Sequence, residues 1–414
     1  MRRLSVARSP GNVRFKAARI AAGYLSQQAL VEALAGRGVS VDVRQVRRWE
    51  SDAPPWPYAA AQQALTELLG QDIEALGFTP PAGHDRTLTV RRVPVAPALR
   101  LPVQHPATVQ PASAAADYLA VTRAHRRLYW TVAPAVLHPP VSAHAVLGEA
   151  LLPATAGATR QAVAAALAES FLLEGRIEFF DLREPEQAGG TWLRALQAAG
   201  EADDSVLGAA VLAHMAFVPG WDGDRAGAGE RMVMARTYAR RGPASAEFLA
   251  WLDAVEAECE TRCGQTRTAL NLITHGEDLL AAGSEHTSPD WMDWFSPVRL
   301  AAFKGNIQLA AGHLPQARET LMEVLETLPP DADKQRTVVL ADLGAVEAAA
   351  GAPEAACAYA VRALEQLETH WYATGMERVR ETRRALAPWQ HEQCVRELDD
   401  RLYGWATTLS VLTR

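Results

Sequence analysis

Lysine is nearly missing from this chain of 414 residues: only Lys16, Lys304 and Lys334 occur, so arginine carries almost all the positive charge. Cysteine is scarce too. Cys259, Cys263, Cys357 and Cys394 are too few for a disulfide framework at this length. Cys259 and Cys263 stand one helical turn apart with no paired histidines at ligand spacing, which points to buried or incidental thiols and to no metal site. No apolar run approaches membrane-spanning length, and Arg2 and Arg3 are not followed by the apolar core of a secretory signal. We therefore expect a cytoplasmic protein with no membrane partner. A phosphate-binding glycine loop and a GxSxG elbow are both lacking, and the 11 scattered histidines form no triad with Asp and Ser. Asp222-Gly223-Asp224 opens like a calcium loop, but Ala226 stands at the third ligand position and no glutamate closes it. An enzyme, a metal or a cofactor has no positive support.

Hydrophobic residues make up 49% of the chain, enough for globular structure, and the length implies two or more domains. The net charge of −7 is uneven. Residues 1–60 hold ten basic residues against four acidic ones, 61–111 balance at four each, and the rest carries 27 against 40. A basic head on an acidic body suits a DNA-binding module attached to something that should stay off DNA.

The head centres on Val43-Arg44-Gln45-Val46-Arg47-Arg48-Trp49-Glu50. Val46 and Trp49 are three apart and share an inward face, while Arg44, Gln45, Arg47 and Arg48 lie on the outward arc, as long donors for bases and phosphates. Asp42 is the expected N-cap, with Gln45 at capping-box spacing. Ser40 is the other candidate cap, and it would shift the base-facing set; only the Asp42 register aligns Val46 with Trp49. Upstream, a first helix is expected over Val13–Ala22, with Val13, Ala17 and Ile20 inward and Arg14 and Lys16 at the surface, ended by Gly23. Ser26 would cap a second helix through about Leu34, with Gln27 in its first turn. After the Pro54–Pro57 break, Tyr58–Leu69 and Asp72–Leu76 look helical, and Leu65, Leu68 and Leu69 would close a small core.

Leu25-Ser26-Gln27-Gln28-x-Leu30 followed by Gln45-Val46-x-Arg48-Trp49-Glu50 resembles the helix-turn-helix of XRE-type, phage-repressor-like regulators over about sixty residues. The resemblance implies that Gln27 contacts a phosphate and that Val43, Arg44, Gln45, Arg47 and Arg48 face the DNA. It also implies that Trp49 and Glu50 close the module. The segment between the two helices, Ala35–Val41, is longer than the family's usual turn. On this basis 1–78 is the DNA-binding domain.

Residues 79–112, with prolines at 94, 97, 102, 106 and 111, read as an extended linker able to reach on the order of 100 Å, although Thr87–Val90 could also pair as a strand. Residues 113–414 are Ala/Leu-rich with helical periodicity and almost no strand signal. Gly305 is followed at twelve residues by Ala317, and Gly344 by Ala356; Ala257 and Ala269 keep the same offset. A small residue on one helix lets a second helix approach, and stacked pairs share a core. Arg160–Leu173, Thr191–Ala199, Ser205–Phe217 and Gly229–Arg240 are further expected helices. With Pro329, the pattern resembles degenerate tetratricopeptide repeats; an irregular helical bundle is the other possibility.

The repeat resemblance implies a concave groove lined by each first helix, with Asn306 in it. A set of basic residues to clamp a peptide carboxylate is not evident, and Asp342 in the next unit argues against an acidic C-terminus as ligand. Trp291-Met292-Asp293-Trp294-Phe295 is the densest aromatic patch, expected as a core helix, a ligand pocket or a dimer contact. Trp371, Tyr372 and Trp389 are expected in the core that caps the array. The expected fold is thus all-α, a helix-turn-helix head plus a repeat solenoid. Its layout is similar to actinobacterial multidomain regulators and to the peptide-sensing regulators of Gram-positive quorum systems. That implies a homodimer on a pseudo-palindromic double-stranded DNA operator, with a peptide or other small effector. An interaction scaffold with a vestigial head is the alternative, and a toxin–antitoxin partner a third reading.

Overall fold

The structure, a computed structural model, describes residues 11–22, 24, 26–80 and 110–412. They are helical, with no strand among them. They divide into two compact units, Met1–Gln104 and His105–Arg414. Of the expected linker, Pro94, Pro97, Pro102, Pro106 and the Thr87–Val90 segment fall outside the described residues, as does Gly23; Pro111 directly precedes the first helix of the second unit.

In the first unit α1 is Val13–Ala21, α2 Gln27–Ala35, α3 Val43–Trp49 and α4 Ala59–Leu69. Side chains cap the first three. Asn12 Oδ1 accepts from Phe15 N at 3.2 Å, Ser26 Oγ from Ala29 N at 3.0 Å, and Asp42 Oδ1 from Gln45 N at 2.7 Å. Asp42 is therefore the cap of α3. Gly70, at φ +65°, ends α4 in the left-handed conformation. Of the expected inward face of α1, Ile20 is exposed, and Val13 and Ala17 lie outside the side chains described; Phe15 and Ala18 are buried. The phenyl ring has more area to bury, and it meets Trp49 and Phe78 edge-on at 6.1 and 5.4 Å. Leu30, Leu34, Val46, Leu65 and Leu76 complete this core. Residues 72–76 form a single turn, closed by Leu76 N to Asp72 O at 3.0 Å, and not a helix.

The second unit begins with α5 (Ala112–Leu128) and α6 (Pro134–Leu151). Six pairs follow: α7 (Gly157–Arg176) with α8 (Pro185–Glu201), α9 (Ser205–Trp221) with α10 (Arg225–Ala239), and α11 (Ala246–Arg262) with α12 (Thr266–Ala282). Then come α13 (Pro297–Ala310) with α14 (Leu314–Thr327), α15 (Asp333–Ala349) with α16 (Pro353–Thr369), and α17 (Ala373–Ala385) with α18 (Gln393–Leu412). Within the first five pairs the partners pack along their length, and each first helix also touches the first helix of the next pair. The result is a solenoid-like stack.

The small-residue rule extends further upstream than the sequence suggested. Ala216 and Ala228 add a unit at the twelve-residue offset, so Ala228, Ala269, Ala317 and Ala356 are all buried at matching places on second helices. Gly175 and Ala188 add another, at thirteen. The extra residue lies in the π-helical segment Ile177–Leu182 that continues α7. A Cβ on Gly175 would fall 2.5 Å from Trp192 Cδ1, as one on Gly305 would fall 2.6 Å from Leu321 Cδ2. Trp192 and Leu321 are both fully buried, so these close approaches fix where each second helix sits.

Candidate functional site

In the first unit, the expected DNA-facing residues gather on and around α3. Val46 and Trp49 are fully buried, which turns Arg44, Arg47 and Arg48 outward; all three are exposed. Val43 and Gln45 are half-buried beside them, and Arg14 and Lys16 are exposed on α1. None of these five basic residues forms an ion pair or hydrogen bond with a described residue. Gln27 differs. Its Nε2 donates to Glu50 Oε2 at 2.6 Å, and Arg19 Nε donates to the other oxygen, Oε1, at 2.7 Å. Glu50 O also accepts from Asn12 N at 3.0 Å. Glu50 thus ties α1, α2 and the end of α3 together. A phosphate role for Gln27 requires its amide to leave Glu50 or to share it.

In the second unit, the inner ends of the first helices surround a cavity offering about 120 Å³ to the centres of water molecules. Its lining follows from the repeat register. Arg176, Phe217, Glu258 and Asn306 each come directly after a small packing residue, namely Gly175, Ala216, Ala257 and Gly305, and all four line the cavity. One helical turn earlier, His214, Phe303 and Asp342 do the same. The aromatic wall is completed by Tyr129, Trp130, Trp221, Trp251, Trp294 and Tyr372. Trp291 does not line the cavity but stacks on Trp294, with centroids 5.6 Å apart. The 291–295 patch lies in the loop between α12 and α13, not in a helix: Pro297 starts α13, and the rings fold inward from the connection.

Four cations, Arg176, Arg299, Lys334 and Arg378, face two carboxylates, Glu258 and Asp342, among the lining residues. Three of these six are matched closely. Arg378 lies 3.3 Å from Glu258 and 3.8 Å from Asp342. Burial drives Glu258 up, but Arg262 and Arg378 outweigh it and hold its carboxyl below the usual range. Asp342 is pushed up to about 6 by burial, against the pull of Arg378; Asn306 hydrogen-bonds it. Lys334 Nζ pairs with Asp181 Oδ1 at 3.1 Å behind the wall and sits 3.6 Å from the centre of the Tyr129 ring. Its ammonium is held below the usual lysine value by burial, with Asp181 opposing.

Arg176 and Arg299 have no such partner; Arg299 is half-buried and lies 5.5 Å from the centre of the Phe303 ring, and the more deeply buried of the two is Arg176. It is 7% exposed, and its guanidinium lies over Trp294, Tyr129 and Trp130 at 4.6, 4.9 and 5.8 Å. No carboxylate or carbonyl of a described residue ion-pairs with it or accepts a hydrogen bond from it. His214 beside it is pushed down to about 3 by burial and by the Arg176 charge, so it is neutral at physiological pH. Its Nδ1 is 2.8 Å from Ala210 O and carries the proton, which leaves Nε2 as an acceptor. The indole N–H groups of Trp221 and Trp294 are buried without an acceptor.

Of the residues expected in a ligand site, the structure brings Asn306 and Trp294 to the cavity and leaves Trp291 behind them. Asn306 lies beside Asp342 and helps to hold its carboxyl down. The cavity is nonetheless lined by four cations, Arg176, Arg299, Lys334 and Arg378, which the sequence reading did not group. They escaped notice because they come from four different helices, far apart in sequence. The signal that would have found Arg176 is its place directly after Gly175, matching Asn306 after Gly305; the π segment hid that match by one residue.

A smaller cluster, His138, Glu174 and Glu178, brings its ligand-type atoms within 4.8 Å of one another beside α6. Glu178 Oε1 already accepts from Gln187 at 2.7 Å and lies 3.2 Å from His138 Nε2, which reads as a hydrogen-bonded ion pair. Asp224 of the rejected calcium loop caps α10, accepting from Gly227 N at 3.0 Å. The four cysteines are free. No helix among the described residues is long and apolar enough to cross a membrane.

No protein-family model matches the chain, and no curated protein sequence matches it. Among solved structures it is similar to BtubC (BKLC) from P. vanneervenii, at 15% identity and a TM-score of 0.40, over 57% of this chain and 91% of that one.

Proposed function

We propose that this protein is a cytoplasmic, sequence-specific DNA-binding regulator of the XRE helix-turn-helix type. In this reading it works as a homodimer whose tetratricopeptide-like body holds a peptide or other small effector. The observation that carries the reading is the state of α3. Its inner face is fixed by two fully buried residues, and its outer face presents Arg44, Arg47 and Arg48 with no protein partner among the described residues. Three unpaired guanidiniums on a capped, anchored helix suit bidentate contact with guanine and phosphate. The anionic remainder of the chain disfavours non-specific binding. Dimeric proteins of this type read half-sites about 10 bp apart or multiples of it, so an effector that respaces the heads changes affinity.

Gel shifts on the DNA around the protein's own gene, across a salt series, test this. Binding to a pseudo-palindrome should reach the nanomolar range and fall steeply with salt, by a slope of roughly 0.9 per phosphate contact. Arg44→Ala should relax discrimination between bases, whereas Arg47→Ala or Arg48→Ala at a phosphate should lower the salt slope by about one. Equal binding to every DNA, or none, would favour the interaction scaffold.

A further inference from the structure

We propose that the cavity of the second unit binds a small aromatic carboxylate, whose acidic head pairs with Arg176 and whose flat body lies among the rings. The inference deepens the effector role proposed above and rests on it only for what binding does to DNA affinity. The ligand assignment itself rests on the cavity alone.

The argument begins with charge. A guanidinium nine-tenths buried, with no counter-ion, is an expensive arrangement, since an ion loses several kcal/mol of hydration on burial. The three rings around Arg176 return part of that through cation–π contact. The nearby carboxylates do not supply the rest, because each is committed elsewhere. Asp181 holds Lys334, and Asp293, in the neighbouring loop, faces Arg126 at 3.6 Å; it feels the Arg176 charge as well but does not come within ion-pair distance of it. Glu169 is engaged by Arg126 as well. Arg176 is therefore a site for a charge the protein does not provide.

The other groups select the rest of the ligand. The guanidinium of Arg176 offers only donors, so the site calls for acceptor oxygens. A carboxylate matches the planar fork of arginine with two parallel hydrogen bonds. His214 is a neutral acceptor beside it, which suits a ligand hydroxyl more than a second anionic group. The rings favour a flat apolar body by stacking.

Calorimetry on the full chain with naphthalene-2-carboxylate, naphthalene-2-carboxamide and inorganic phosphate tests the assignment. The carboxylate should bind at least about tenfold more tightly than the carboxamide, which has the same shape without the charge. Arg176→Gln should bring the two within about threefold, and Arg176→Lys, which keeps the charge and loses the fork, should fall between. Retained carboxamide binding, with an unchanged circular dichroism melt, shows that a variant is folded. If Arg176→Gln fails to fold, the wild-type ratio and Arg176→Lys decide. Equal binding of carboxylate and carboxamide, no saturable binding below about 1 mM, or a preference for phosphate would each overturn the inference. Gel shifts with and without the carboxylate separate the two readings: ligand binding that leaves DNA affinity unmoved would sink the sensing role and leave the ligand assignment standing.

Discussion

Two buried arginines in one cavity wall illustrate opposite uses of the same side chain. Arg378 sits between Glu258 and Asp342 and has its guanidinium charge firmly held by them, against burial. Arg176 lies against three rings and has no ion-pair partner among the described residues. Removing Arg378 leaves two buried carboxylates with less compensation, so Arg378→Met should lower stability by about 3–5 kcal/mol in chemical denaturation. Arg176→Met removes a cation whose burial cost and ring contacts nearly cancel. We expect that variant to stay within about 1 kcal/mol of the wild type, or to exceed it. A large loss at Arg176 would mean that the folded protein supplies it with a partner after all. Neither role is legible from the sequence, where both appear as isolated arginines in Ala-rich helices. Asn306 was found because a glycine precedes it at a repeat position. Arg176 was missed because its glycine lies one residue out of phase.

At the scale of elements, the repeat logic was readable where α-helical winding is unbroken and unreadable where it is not. Glycine or alanine at one position and alanine twelve residues on marked α11 to α16 correctly, because a small residue on the first helix lets the second pack close to it, as Gly305 does for Leu321. The same rule failed for α7 and α8, where a π turn adds a residue, and loops carry no periodicity from which to place the 291–295 rings. The head behaves similarly. Caps on α2 and α3 were legible, because Ser26 and Asp42 accept from backbone amides three residues on. The face of α1 was not, since Phe15 and Ile20 compete for the interior and only packing decides between them. Gly305 offers a test of the close approach. Gly305→Val should destabilise by roughly 1–3 kcal/mol through overpacking against Leu321. Gly189→Ala, in α8 with open space around its added carbon, should be neutral or stabilising by up to about 1 kcal/mol. Equal effects at the two sites, read by thermal melts, would show that proximity to Leu321 is not what demands glycine.

For the whole molecule, the division of charge matches the division of structure. Arg44, Arg47 and Arg48 of the head are exposed, whereas Arg176, Arg299 and Arg378 of the body line a cavity, paired or stacked. The chain contains 11 tryptophans, and they are divided in the same way. Trp130, Trp221, Trp251 and Trp294 line the cavity, while Trp49 and Trp56 belong to the head. The protein consequently carries its own optical reporters. An occupant of the cavity should quench or shift the intrinsic emission of the body in a saturable way. Replacing Trp49 with phenylalanine should leave that change intact, and replacing Trp294 should remove much of it. Each unit can then be followed by its own light, with no dye or label attached.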